Sequence, residues 1–187
     1  MTNGRIILQP KRFQLTIDRL CHQIIESFDP LSDCCMIGIQ PRGTYLAARL
    51  KERLQSLTPD STIDYGQLDI TFYRDDFRTR NKPLKANTTS MDFLVEDRNV
   101  VLVDDVLYTG RTVTAALTAL QHYGRPRKVI LLTMVDRRFN REVPVEADLV
   151  GMQVDAVDEA YVKVEWQEKD GEDRILIFPT KEDADDK

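Results

Sequence analysis

Apolar residues recur at steps of three or four between Arg12 and Phe28. Phe13, Ile17, Leu20, Ile24 and Phe28 mark one face of a helix, which Asp29-Pro30 ends. The pattern then changes. Cys35-Met36-Ile37-Gly38-Ile39 is a continuous apolar run, too short for a helix and suited to a strand buried on both faces. Leu46, Leu50, Leu54 and Leu57 share a helical face over Gly43 to Leu57. Thr62 to Tyr73, rich in β-branched and aromatic residues, reads as extended, and Arg74 to Arg98 is polar with no sustained period. Val100-Val101-Leu102-Val103 predicts a second core strand. Thr112 to Tyr123 predicts an amphipathic helix closed by Gly124. Lys128 to Val135 and Asp148 to Gly151 predict a third and a fourth strand. Tyr161 to Trp166 and Arg174 to Phe178 flank Lys169-Asp170-Gly171, a hairpin signal.

Strand and helix alternate through the middle of the chain. This pattern predicts an α/β fold: a doubly wound, mainly parallel sheet with helices on both faces, followed by a C-terminal β-hairpin. Residues 1–179 are expected to form one domain, and the acidic segment 180–187 a frayed tail. Ligands of such sheets sit at the carboxyl ends of the strands, so the residues just after Ile39, Val103 and Val135 are the candidate site.

Charge sharpens this picture. The chain carries 26 basic and 31 acidic residues, net −5. Residues 142–187 hold 15 acidic and 5 basic residues, net −10, which leaves +5 on residues 1–141. An anionic ligand is therefore expected on the earlier part of the chain. No run approaches the roughly 18 apolar residues of a membrane-crossing helix, and the first residues lack the apolar stretch of a secretory signal. Three cysteines, two of them adjacent (Cys34-Cys35), suit neither a disulfide framework nor a zinc site. The expected setting is a reducing cytoplasm.

Val103 is followed by Asp104-Asp105-Val106-Leu107-Tyr108-Thr109-Gly110-Arg111-Thr112 and then a helix. The turn Tyr108 to Thr112 would present free backbone N–H groups and a positive helix end, which suit a phosphate. Gly110 permits close backbone approach, and the hydroxyls of Thr109 and Thr112 add donors. Two carboxylates cannot bind phosphate, but they accept hydrogen bonds from sugar hydroxyls or help hold a cation. Arg42 follows the first strand, where a guanidinium meets a pyrophosphate well, and Gly43 allows a tight approach.

Val100 to Thr112 closely resembles the phosphoribosyl-pyrophosphate (PRPP) motif of type I phosphoribosyltransferases: an apolar strand, two acids, a short spacer and Thr-Gly-x-Thr. Within that family the chain resembles the PyrR-type subgroup, pyrimidine-operon regulators that also act as uracil phosphoribosyltransferases. The likeness rests on Val103 to Thr112, Asp69-Ile70-Thr71-Phe72-Tyr73-Arg74-Asp75-Asp76, Val135-Asp136-Arg137 and Ala147-Asp148-Leu149-Val150-Gly151. It implies the doubly wound sheet with a small hood, and transfer of a phosphoribosyl group from PRPP to uracil, giving UMP and pyrophosphate. It implies Mg²⁺ bound with PRPP and touched only indirectly by Asp104 and Asp105. Asp104, Asp105 and Arg42 would be catalytic, and the stretch from Asp104 through Val106 and Leu107 to Thr112 would bind PRPP. Gln40-Pro41-Arg42-Gly43 would be the pyrophosphate loop, with Gln40-Pro41 where the family usually has Lys or a similar residue and then Ser/Thr. Asp69 to Asn87, with Tyr73, Arg74, Arg78, Arg80, Lys82 and Lys85, would be a flexible lid. Arg137, Val150 and Gly151 would face the base. Tyr108 stands where purine-salvage relatives usually carry an aspartate. The subgroup tends to form homodimers or higher homo-oligomers.

The alternative function is a uridine-nucleotide-sensitive regulator bound to pyrimidine-operon leader RNA. The resemblance puts its candidate RNA face on Thr16, Arg19 and His22 of the first helix and on Arg141. Arg138-Phe139-Asn140, Glu146 and Gln153 stand where the subgroup tends to have Gly-His-Arg and basic residues. A third reading is a phosphoribosyltransferase fold that only senses PRPP or a nucleotide.

Overall fold

Five strands form one parallel sheet. They are β2 (Cys34–Ile39), β3 (Asp64–Leu68), β4 (Asn99–Leu107), β5 (Lys128–Arg138) and β6 (Leu149–Asp155), paired in the order β3-β2-β4-β5-β6. The computed structural model describes residues 4–28, 30–74, 88–156 and 160–185. The lid residues Arg78, Arg80, Lys82 and Lys85 lie outside the described residues.

Side-chain alternation explains why the core strands read as unbroken apolar runs. Met36, Val101 and Val103 pack on the side of α1 (Pro10–Ser27) and α2 (Gly43–Leu57). Cys35, Ile37, Val100 and Leu102 pack on the side of α3 (Arg111–Leu120). Both faces are covered, so neither needs polar residues. The chain leaves β2 toward β3 and returns on the other side as β4, which makes the β2–β4 gap the switch point where this fold class binds ligands.

Three strands run further than their apolar runs. β4 continues through the two aspartates to Leu107, β5 to Arg138 and β6 to Asp155. The register pairs Asp104 with Thr133, Leu107 with Asp136 and Arg137 with Val154. Backbone pairing tolerates polar side chains where the sheet edge meets the cleft, and an apolar count stops short of it.

A second, antiparallel sheet forms the hood, in the order β1 (Arg5–Leu8), β8 (Arg174–Phe178), β7 (Tyr161–Glu165). The hairpin was legible in the sequence; β1, four residues long and mostly solvent-facing, was not. The β7–β8 connection carries one helical turn, α4 (Gln167–Asp170), ended by Gly171 at φ 85°.

Trp166 joins hood to sheet domain. It is fully buried, edge-on to Phe13 at 5.3 Å and stacked on Tyr45 at 6.1 Å. The Arg49 guanidinium lies 5.4 Å from its ring and also pairs with Glu168 at 2.8 Å and Asp173 at 2.5 Å. Trp166→Ala is expected to cost about 3–5 kcal/mol in denaturant unfolding. A loss under about 1 kcal/mol would show that the hood docks through other contacts.

The acidic end opens on a hydrogen-bonded turn. The Thr180 N–H and hydroxyl donate to Asp183 Oδ2 at 3.1 and 2.8 Å, and the Asp183 N–H returns to Thr180 Oγ1 at 3.3 Å. This reciprocal cap begins α5 (Glu182–Asp185), and Ala184 is buried near Leu176 and Phe178.

Candidate functional site

A cleft of about 480 Å³ opens between the carboxyl edge of the sheet and the hood. Its walls include Arg42, Arg74, Asp105, Tyr108, Thr112 and Arg137 from the sheet domain, and Tyr161, Lys163 and Lys181 from the hood side. Five basic side chains face one carboxylate there, so the cleft favours an anion of small-ligand size.

Asp104 and Asp105 lie in the last part of β4 and are 6% and 9% exposed. The Asp105 N–H donates to Asp104 Oδ1 at 2.9 Å. Burial, and then the neighbouring Asp105 charge, push the Asp104 carboxyl well above the usual carboxylate range. Burial also raises Asp105, against the opposing pull of Arg42, whose Nε donates to Asp105 Oδ2 at 2.9 Å.

The raised Asp104 sets a pH dependence. A carboxyl raised by folding adds stability below its unfolded pKa of about 3.9, and that stability is lost as pH rises through the folded value. Asp104→Asn is therefore expected to raise Tm at pH 7 by a few degrees, with the gain vanishing near pH 3.5. Thermal melts across that range check it; an equal shift at both ends would contradict it.

Gly43 opens α2 directly against the acid pair. A Cβ there would stand 2.4 Å from the Val103 carbonyl oxygen and 3.0 Å from Asp104 Cα. The following turn, Tyr108 to Gly110, leads from β4 into α3. Gly110 has φ 88°, and a Cβ on it would stand 2.6 Å from Val143 Cγ2. Backbone bonds from Glu142 and Val143 to the Thr109 carbonyl (3.0 and 3.2 Å) hold the turn from outside. In the first turn of α3 the Arg111 N–H donates to Thr109 Oγ1 at 3.4 Å, while those of Thr112 and Val113 have no carbonyl to bond within the helix, the arrangement the motif predicts for an anion.

Other candidates sit differently from their sequence expectation. Arg42 lines the cleft, but its guanidinium also bonds the Val164 carbonyl of β7 and lies 3.7 Å from Asp170 Oδ2. It ties the acid pair to the hood. The Gln40–Pro41 peptide is cis, and Gln40 Nε2 donates to the Thr88 carbonyl at 2.8 Å. The Tyr73 ring lies 5.6 Å from that of His122 and tilted to it, and Arg74 reaches the cleft.

Val150 and Gly151 do not line the cleft. Their carbonyls accept from Arg19 of α1, at 3.2 and 2.5 Å. The reason is strand length: β6 runs on to Asp155, so Val154 lies beside Arg137, and Val150 and Gly151 fall back beside Thr133 and Met134. Gly151 instead lets α1 approach, since a Cβ there would meet Met134 O at 2.5 Å and Thr16 Cγ2 at 3.1 Å. Thr16 turns its hydroxyl to the Arg12 carbonyl, while Arg19 and His22 are exposed.

Arg141 is turned inward rather than onto an RNA face. It donates to the carbonyls of Tyr108, Val145 (3.0 Å), Arg137 (3.2 Å) and Leu107 (3.4 Å), and pairs with Asp136. Sequence reasoning missed the hood residues Tyr161, Lys163 and Lys181. Their only signal was the hairpin following the last parallel strand.

The sequence matches the phosphoribosyl transferase domain family over residues 4–169. It is 43% identical over 161 residues to a protein of Enterococcus faecalis named bifunctional protein pyrR, covering 86% of this chain and 89% of that one. It is 38% identical over 180 residues to the bifunctional protein PyrR of Bacillus cereus, covering 95% and 99%. Among solved structures, a hypoxanthine phosphoribosyltransferase from Staphylococcus aureus superposes with a TM-score of 0.69 at 18% identity, over 95% of this chain and 93% of that one. A hypoxanthine-guanine phosphoribosyltransferase from Bacillus anthracis gives 0.69 at 17% identity, over 94% and 98%. The structural likeness bears on the fold alone.

Proposed function

The chain belongs to the phosphoribosyltransferase family, and on that premise we propose that it transfers the phosphoribosyl group of PRPP to uracil, forming UMP and pyrophosphate. The observation that carries this reading is the buried Asp104-Asp105 pair, which leads into the open first turn of α3 beside a cationic cleft.

The base nitrogen attacks C1′ of the ribose as the C1′–O bond to pyrophosphate breaks, through a transition state with oxocarbenium character, and the proton of the attacking nitrogen passes to the departing pyrophosphate or to solvent. Asp104 and Asp105 accept hydrogen bonds from the ribose hydroxyls, and the negative charge of Asp105 favours positive charge developing on the sugar. The turn Thr109 to Thr112 holds the 5′-phosphate. Arg42, Arg74, Lys163 and Lys181 lend the cleft the positive charge that a departing pyrophosphate needs, and Arg137 reaches the base.

Among the described residues no three His, Cys, Asp or Glu side chains gather as a metal cage. The donor set, two carboxylates of which one is paired with Arg42, fits a Mg²⁺ that arrives on PRPP oxygens and keeps mostly water and phosphate ligands. When bound, the ion neutralises pyrophosphate charge; Asp104 and Asp105 would meet its hydration shell.

Turnover with PRPP, Mg²⁺ and uracil tests the reading. UMP and pyrophosphate should appear in equal amounts. Turnover of a different base alone would move the substrate assignment, and none with any base would end the enzymatic reading.

Binding to pyrimidine-operon leader RNA is the second function. What supports it is the word bifunctional in the relatives' names and the exposed Arg19 and His22 on α1. Affinity that falls steeply with salt is the expected result, and no binding at low salt would remove it. The three cysteines are free and buried, in keeping with a reducing cytoplasm. A homodimer or higher homo-oligomer belongs to the same proposal, and its mass in solution checks it.

A further inference from the structure

We propose that Tyr108, held flat against Arg137, selects the size of the acceptor base by filling the space that a second fused ring would need. The inference rests on the phosphoribosyl-transfer reading above. The pair is built by strand register: Leu107 faces Asp136 across β4 and β5, so Tyr108, just past the end of β4, and Arg137, the next residue of β5, follow side by side. The guanidinium carbon of Arg137 lies 4.0 Å from the centre of the Tyr108 ring, an attractive contact between a cation and an aromatic face. Arg137 is only 5% exposed, while Tyr108 is 37% exposed and borders the cleft.

The backbone under the pair is constrained as well. Arg141 donates to the carbonyls of both Tyr108 and Arg137 and pairs with Asp136. The ring cannot swing aside without giving up its stack on a buried guanidinium. It is thus a fixed wall rather than a mobile side chain.

Position gives the wall its role. Tyr108 lies between the two aspartates and the first turn of α3, the groups read here as anchors for ribose and 5′-phosphate. Purine and pyrimidine acceptors become nucleotides with the same anchors, and they differ by one fused ring. The fold does not make that distinction, because hypoxanthine phosphoribosyltransferases share it. Discrimination falls to the side chains that line the cleft, where two aromatic rings stand, Tyr108 on the sheet side and Tyr161 on the hood side, and Tyr108 is the one adjoining the anchors.

The test compares uracil with hypoxanthine by kcat/KM in the wild type, Tyr108→Ala and Tyr108→Phe. The wild type should prefer uracil. Tyr108→Ala should lower the uracil-to-hypoxanthine ratio by about ten- to a hundredfold, the range that a volume change in an acceptor pocket produces. Tyr108→Phe, which keeps the ring, should retain the preference. An unchanged ratio in Tyr108→Ala overturns the proposal and leaves the transferase reading standing. A wild type that uses hypoxanthine but not uracil overturns this proposal and moves only the substrate assignment, and one that uses no base at all ends the transferase reading and this proposal with it. If Tyr108→Ala turns over neither base, calorimetric binding of UMP and IMP decides: improved IMP binding relative to UMP supports the wall, and an unchanged ratio overturns it.

Discussion

Asp105→Asn is expected to lower kcat for UMP formation by about a hundredfold or more, the usual loss when a preorganised electrostatic group is removed from a transition state. The substitution keeps the shape and removes the charge. Asp105 is 9% exposed and held by Arg42 at 2.9 Å, so it is oriented before substrate arrives and needs little reorganisation during reaction. Its charge matters most when the sugar becomes positive, so the loss should fall on kcat more than on the KM for PRPP. Freed from Asp105, Arg42 still has the Val164 carbonyl and Asp170 beside it, so the hood should stay docked and the circular dichroism unchanged. A kcat within threefold of wild type would refute the role given to Asp105.

Gly43→Ala is expected to be the most damaging single-methyl change in the molecule. Alanine would ordinarily help a helix by about 1 kcal/mol. Here the added Cβ would stand 2.4 Å from the Val103 carbonyl and 3.0 Å from Asp104 Cα. Both are backbone atoms of a central strand, so the strain is not relieved by a side-chain rotation. Overpacking of this kind costs about 1–3 kcal/mol or more. It would also push α2, and Arg42 with it, off the acid pair. Tm should fall, and activity should fall further than the lost stability explains. A Tm equal to that of the wild type would show that the helix shifts freely and that the close approach is incidental.

These two positions divide the lesson between them. The acid pair was legible as a candidate, because two acids behind four apolar residues and before Thr-Gly-Arg-Thr form a local pattern, and the structure brings Asp105 to the cleft. Gly43 was expected to permit a tight approach, but its partner, the β4 backbone, came only with the fold. Arg42, Arg19 and Arg141 were all read as cations available to ligand or RNA. Folding gives them internal acceptors: Val164 for Arg42, Val150 and Gly151 for Arg19, and a ring of carbonyls with Asp136 for Arg141. The resemblance put Val150 and Gly151 beside the base, and the apolar run ended the fourth strand at Gly151, whereas sheet pairing carries β6 to Asp155.

The amino-acid order alone determined the alternation of strands and helices, the two-sided burial of the central strands, and the acid pair followed by the turn that opens α3. Each depends on residues a few positions apart, which periodicity records. The tertiary structure decided where the strands end, how the hood closes the cleft, and which charged groups are left for a ligand. Those depend on neighbours such as Arg42 and Val164, or Arg19 and Val150, which stand 122 and 131 residues apart. Such pairs meet through strand register and layer packing, and no local spacing encodes them.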